Sequence, residues 1–531
     1  MFALAALAVL LPGAEVGGTG DPAGGDVPGR VAAAVDRHLA AGWADAGVSP
    51  AGPATDAVWL RRVHLDLTGR LPAASAVRDF LNHQPGDAGA RAGVVDGLLD
   101  GPGYVTHFTA VWRDALAPEL ARDPDAAFLR PGFEAWLRHC LLTDVPYNKL
   151  VRELLTADLA PAGDGTNMAA NAAGPRAFYQ AKNVAPEELA AAVTRSLLGT
   201  RLECAECHDH PFDHWRQDQF WRFAAFFSGL ERAGTRRLGA LRERTGAAVL
   251  KIPDAVTLPG GVRKVSAAYL DDAEPALAPG DTPRAALADR LTARDNTLFA
   301  EVAVNRLFAE VFGRGLVSPV DDWGAANPPS HPQLLTELAD LFVESGYDPK
   351  AVLAGLCRSD AYALSSKHPG DPPARLFARY AVEPLPAPAL YDALEAATGG
   401  FTPFGAESPR LPGMTDDGGR AEFLRTFRDD AESPADRRTS ILQALALMNG
   451  DLVAGAADLG RSRTLAAVAG APFLDRGERL DALYLATVSR FPTAREREDL
   501  TAYLHAAESE SAGLADIFWA LLNGSEFATN H

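Results

Sequence analysis

Apolar positions recur every three to four residues along most of the chain, which is the spacing of helices that bury one face. In "DAVWLRRVHLDLTGRLP" Leu60, Val63 and Leu67 share a face, and Gly69 and Pro72 stand where the helix must end. "VAPEELAAAVTRSLLGT" places Pro186 in a first turn, Glu187 and Glu188 at the positive dipole end, and Gly199 at the stop. "QDQFWRFAAFFSGL" spaces Phe220, Phe223, Phe227 and Leu230 as a helix does. "SHPQLLTELADLFVESGYD" suggests a capping box of Ser330 with Gln333, ending at Gly346.

The pattern changes between 233 and 283. There "AAVLKIPDAVTLPGGVRKVSAAYL" carries β-branched residues broken by Pro and Gly-Gly, which predicts a short β excursion. The expected fold is mainly α, with two helical domains and a small β-containing insertion between them. The expected divisions are a leader at 1–28, a helical domain at 29–232, the insertion at 233–283 and a second helical domain at 284–531. Loops rich in Gly and Pro interrupt the helices at 161–175 and 398–419, and no fixed-period repeat is visible.

Composition adds limits. Of 531 residues, 47% are hydrophobic and 22% charged, as in a globular protein rather than a disordered chain. A net charge of −19 argues against a nucleic-acid partner, which needs a basic face, and gives no support for docking on anionic lipid. The run from Phe2 to Leu11, followed by small residues, Gly and Pro, resembles a signal peptide, although no Lys or Arg precedes it. Export to a periplasmic or envelope location is therefore expected, with no transmembrane span beyond that leader. The alternative is an apolar N-terminal helix tucked into the fold.

The chain has four cysteines, too few for a disulfide scaffold. Cys140 in "WLRHCLL" and Cys357 in "VLAGLCRS" sit in apolar helical surroundings and read as buried free thiols. The other two fall in "RLECAECHDHPFDHW", where Cys204, Cys207 and His208 form C-x-x-C-H. That pentapeptide is the attachment sequence of haem c. Two thiols with a two-residue spacer add across the porphyrin vinyl groups, and the histidine that follows becomes an axial ligand. Candidates for the opposite haem face are His214, His210 and Met168. Asp209 and Asp213 are candidates to orient the histidines, or are solvated loop charges. The aromatic helix after Trp215 reads as core or as a porphyrin wall.

Zinc is the first rival, bound by Cys204, Cys207, His208 and either His210 or His214. The ligands are closer together than in the usual two-plus-two arrangement. Another transition metal is a third reading, and a structural thiol pair in a helical envelope scaffold is a fourth. Further on, Asn305, Arg306, Asp321, Asp322, Trp323, Asn327 and His331 cluster near turns. They read as pocket residues or as turn and cap formers, with Arg306 pairing Asp321 or Asp322. No nucleophile elbow, phosphate loop or His-Glu-x-x-His helix is present, so no catalytic residue is assigned.

Longer strings carry a family resemblance. "WLRRVHLDLTGRLP", "PYNKLVRELLTA" and "LLGTRLECAECHDHPFDHWRQDQFWRFAAFFSGL" resemble the planctomycete cytochrome-like domain family. From Arg284 on, "NTLFAEVAVNRLFAEVFGRGLVSPVDDWGAANPPSHPQLLTELADLFVESGYD", "RTSILQALALMNG" and "LYLATVSRFPTAREREDL" resemble the planctomycete-specific domain that usually follows it. The resemblance implies an exported, mostly helical protein of unknown activity with an unidentified redox or envelope partner. It maps the family's Cys-x-x-Cys-His element onto Cys204, Cys207 and His208. Relatives often carry a further N-terminal cytochrome-type segment, which this chain is expected to lack. They also often carry cysteines before the "QALALMN" helix, where this chain has none in "DDAESPADRRTS".

Overall fold

The computed structural model describes residues 26–83, 86–159, 174–211, 213–232, 240–246, 248–254, 256, 258–399, 418–427, 437–438 and 440–531. The leader run, Met168 and most of the two Gly/Pro-rich loops lie outside the described residues.

The chain is mainly α, as its periodicity predicts. The helix Asp56–Thr68 starts at Thr55, whose hydroxyl accepts from the Val58 amide, and ends at Gly69 with φ 66°. The helix Pro186–Leu197 has Pro186 in its first turn with Glu187 and Glu188 beside it. Gln217–Ala224 is shorter than the aromatic spacing suggests, because the chain tightens into a 3₁₀ turn at Ala225–Phe227. Phe220, Phe223, Phe227 and Leu230 are nevertheless all buried in one core. The capping box at Ser330 does not form. Pro332 occupies the first turn of helix Pro332–Glu344 and makes His331 the N-cap. The Ser330 hydroxyl instead lies 3.2 Å from His331 Nδ1.

Among the described residues the β excursion holds two small antiparallel pairs. β1 (Leu230–Arg232) pairs with β2 (Leu241–Glu243), and β3 (Val249–Lys251) pairs with β4 (Lys264–Ser266). A third pair has no sequence signature. β5 (Glu383–Pro384) pairs with β6 (Thr529–Asn530) and ties the last residues of the chain to its middle.

Two apolar cores organise the helices. The larger joins both sides of the β excursion, with Val31, Leu60, Phe108 and Phe220 in the same cluster as Phe299, Phe308, Leu338 and Leu353. The smaller is built from C-terminal helices around Leu390, Leu394, Leu480, Leu483, Leu514 and Phe518, with Leu65 reaching in. Helix Asp56–Thr68 therefore serves both cores, and its polar residues lie on the seam. Arg61 donates to the carbonyls of Thr487, at 3.0 Å, and Phe527, at 2.7 Å. Arg62 donates to the carbonyls of Tyr362, Leu364 and His531. These buried guanidiniums replace lost water contacts with backbone acceptors from chain segments far away in sequence.

Cys140 and Cys357 are buried free thiols, and burial pushes the Cys140 thiol up to about 12. Among the described residues no helix is long and apolar enough to cross a membrane.

Burial holds the His64 imidazole down at about 4. Its neutral form is favoured in the folded state, so its stabilising contribution is present above the ordinary value near 6.5 and is lost as pH falls toward 4. His64→Leu removes that dependence. On acidification from pH 6.5 to 4, the wild-type chain should lose up to about 3 kcal/mol relative to His64→Leu. Urea midpoints of the two proteins at both pH values measure this difference.

Candidate functional site

The cysteine motif sits on a turn held from three sides. After helix Pro186–Leu197 the chain reverses at Gly199, with φ 64°. The indole of Trp323 occupies the space a Gly199 Cβ would need, and the Trp323 amide donates to the Gly199 carbonyl at 2.9 Å. Arg195 and Arg201, on either side of the reversal, both donate to Asp321, at 2.5 and 2.7 Å. Gly199→Ala would force a left-handed backbone on a residue with a Cβ and displace Trp323. We expect it to cost about 2 kcal/mol in a denaturant titration, where a surface glycine would cost a few tenths.

A 3₁₀ turn at Glu203–Glu206 then carries Cys204, and Cys207 follows it. Leu202 and Ala205 are buried and anchor the turn, while both thiols are exposed and unpaired. The next helix fixes the backbone between them. Gln217 Nε2 donates to the carbonyls of Glu206 and Cys207, at 3.2 and 2.8 Å, and the Trp221 indole donates to the Glu206 carbonyl at 3.0 Å.

His208 is exposed, and its Nδ1 lies 2.8 Å from the Asp209 carbonyl oxygen. A carbonyl oxygen only accepts, so Nδ1–H is the donor, and in the neutral ring Nε2 carries the lone pair. Asp209 thus acts through its backbone. Its carboxylate caps the next helix instead, accepting from the Gln217 amide at 2.8 Å. Asp213 does orient a histidine: its Oδ1 lies 2.7 Å from His214 Nδ1. The His214 ring lies over Trp215 at 4.1 Å, and its side chain is 71% exposed. The His210 amide closes the loop on the Trp215 carbonyl at 2.7 Å.

The donors of this loop are not gathered around one point. Among the described residues no three His, Cys, Asp or Glu side chains form a group able to hold a metal ion. A four-ligand zinc centre needs such convergence, whereas C-x-x-C-H haem attachment needs two accessible thiols and one imidazole nitrogen. The aromatic helix supplies core rather than an open wall, since Phe220, Phe223 and Phe227 are at most 1% exposed.

The polar residues of the second half make structural contacts, and three of them also line cavities, Arg306 one and Asn327 with His331 another. Asn305 exchanges two hydrogen bonds with the backbone of Val317, at 2.9 and 3.0 Å. Asn327 Nδ2 donates to the Asp322 carbonyl at 2.9 Å. Arg306 donates to the Arg195 carbonyl at 3.2 Å, and the hydrogen-bonded ion pairs of Asp321 are those with Arg195 and Arg201. Sequence reading missed that Asp321 and Trp323 brace the cysteine loop. Their partners lie more than a hundred residues earlier, and no local pattern encodes such a contact.

Residues 34–232 match the family model PSCyt2, a protein of unknown function (DUF1549), and residues 283–412 match PSD1, a protein of unknown function (DUF1553). The chain is a PSCyt2–PSD1 protein. The order is that of the cytochrome-like domain followed by the planctomycete-specific domain. No curated protein and no solved structure matches it. The cysteine loop lies in the PSCyt2 match, and Asp321 and Trp323 lie in the PSD1 match. In this PSCyt2–PSD1 protein, one matched region therefore braces the turn that the other presents.

Proposed function

We propose that Cys204, Cys207 and His208 attach a c-type haem, and that this exported protein carries electrons or performs redox chemistry with an envelope partner. The observation that carries the reading is the His208 contact: Nδ1–H on the Asp209 carbonyl leaves Nε2 as a ligand atom beside two exposed, unpaired thiols. A carbonyl acceptor on Nδ1 also fixes the ring and raises the basicity of Nε2. Gln217 and Trp221 hold the backbone that spaces the two thiols. His214 and His210 are the described candidates for a second ligand, and Met168 is the candidate outside the described residues. When bound, the haem would supply one-electron chemistry, tuned by that second ligand and by exposure.

The test is expression in a host with haem-attachment machinery, followed by denaturing electrophoresis and a peroxidase stain. The expected result is a stained band at the size of the chain, because thioether bonds survive denaturation. An unstained band with two alkylatable thiols at 204 and 207 would overturn the redox reading and leave a surface thiol pair.

A further inference from the structure

Away from the cysteine loop, one helix turns its apolar side outward. Ile441–Asn449 starts with a capping box: the Ser440 hydroxyl accepts from the Gln443 amide at 3.2 Å, and Gln443 Oε1 accepts from the Ser440 amide at 2.8 Å. Its inner side is seated on the protein. Leu447 is buried in the smaller core with Ala446 packed beside it, and Gln443 Nε2 donates to the Thr426 carbonyl at 3.3 Å. The outer side carries Ile441, Leu442, Leu445 and Met448, which are 80%, 77%, 49% and 44% exposed. At the helical period these four fall on about one third of the circumference, the width of a stripe that ordinarily faces a core. No Asp, Glu, Lys or Arg interrupts Ile441–Asn449. The stripe leaves on the order of 400 Å² of contiguous apolar surface in water, a size that marks an interaction site rather than scattered exposure.

The order of residues along the helix points to the occupant, because it is self-complementary. Two copies set antiparallel, with Ile441 against the partner's Met448, bring Leu445 against the partner's Ala444 beside a two-fold axis. The same register brings Ser440 against the partner's Asn449, so uncharged polar ends meet each other. It also carries the exposed Arg438 to the C-terminal end of the partner helix, where the helix dipole is negative. Apolar residues thus meet apolar residues, and the charge at each end is complementary. A two-fold contact requires this, since each residue meets in the partner what its counterpart meets in return. Pairing removes the stripe from water on both copies, roughly 800 Å² of apolar area, and a polar rim brings the total to about the 1,200 Å² at which specific interfaces begin. We propose that this face is the interface of a two-fold homodimer in which two copies of helix Ile441–Asn449 pack antiparallel. An interface of this small size is expected to hold with a dissociation constant on the order of micromolar.

The experiment uses the full chain in sedimentation velocity at roughly 1–100 µM, with hydrogen exchange at residues 441–449 compared between the two ends of that range. The expected result is a monomer that becomes a dimer across the range, with exchange at 441–449 slowed as the dimer forms. Leu445→Asp places each new carboxylate near its twin across the axis, and it should weaken the dimer about tenfold or more while circular dichroism is unchanged. The exchange arm needs no variant, so it decides the matter even if Leu445→Asp misfolds. A protein that stays monomeric throughout would overturn the proposal, as would a dimer that leaves exchange at 441–449 unslowed or that Leu445→Asp does not weaken. Exchange at 441–449 that is already slow in the monomer would mean that the chain itself covers the face. Co-sedimentation of the monomer with phosphatidylcholine vesicles, lost in Leu445→Asp, would mean a lipid surface. Either of these would also overturn it.

Discussion

Replacing Asp66 with alanine is expected to cost the folded state about 4 kcal/mol. The carboxylate is buried at the seam between the two cores and receives the Tyr362 and Tyr380 hydroxyls and the Asn530 amide. Removing it strands the two buried hydroxyls and leaves Asn530 Nδ2 only its longer contact to the Tyr380 hydroxyl, at 3.2 Å. Each stranded group costs roughly 1–3 kcal/mol, and the sum is less than additive because the three share one site. Arg62 adds to the loss. Its guanidinium lies 3.6 Å from the centre of the Tyr380 ring, so a displaced Tyr380 also disturbs that stack. Asp66→Asn keeps one carbonyl acceptor in place and should cost clearly less than the alanine variant. Urea denaturation followed by tryptophan fluorescence measures both. A cost below about 1 kcal/mol for Asp66→Ala would mean that the network is not a structural element.

The double variant Cys204→Ala, Cys207→Ala is expected to abolish covalent haem entirely and to leave the fold nearly untouched. The two thiols are exposed, and the turn that carries them is held by Leu202, Ala205, Gln217 and Trp221 rather than by sulfur. Surface substitutions of this kind change stability by about 0.5 kcal/mol or less. Loss of stain with unchanged helical circular dichroism separates the haem reading from a structural thiol pair. In the structural case, stability would fall with the cysteines and no stain would exist to lose.

Helices with a periodic apolar face were legible in the sequence, because burial on one side repeats every turn and Pro or Gly marks the ends. Leu60, Val63 and Leu67 are core as predicted, and Gly69 ends that helix. What lay on its other side was not legible. Arg61, Arg62 and Asp66 are buried too, and nothing local announces it, because their partners come from residues 362–380 and from the last residues of the chain. The two-residue strands β5 and β6 were equally silent, since alternation cannot appear in so short a run. At Ser330 a local rule lost to a stronger one: Pro332, with its fixed φ and missing N–H, claims the first turn and moves the cap by one residue. The C-x-x-C-H element was legible as chemistry. Its support was legible only in part, because Asp213 orients His214 through its side chain, as sequence allows, while Asp209 serves His208 through its carbonyl.

The central claim is that the sulfurs of Cys204 and Cys207 end up bonded to a porphyrin. Intact-mass measurement of the full chain, purified from the envelope fraction of a host that matures c-type cytochromes, tests it most directly. The expected mass is that of the polypeptide plus one haem, with neither thiol open to alkylation. A polypeptide of unmodified mass, taking up alkylating reagent at both positions, would contradict it.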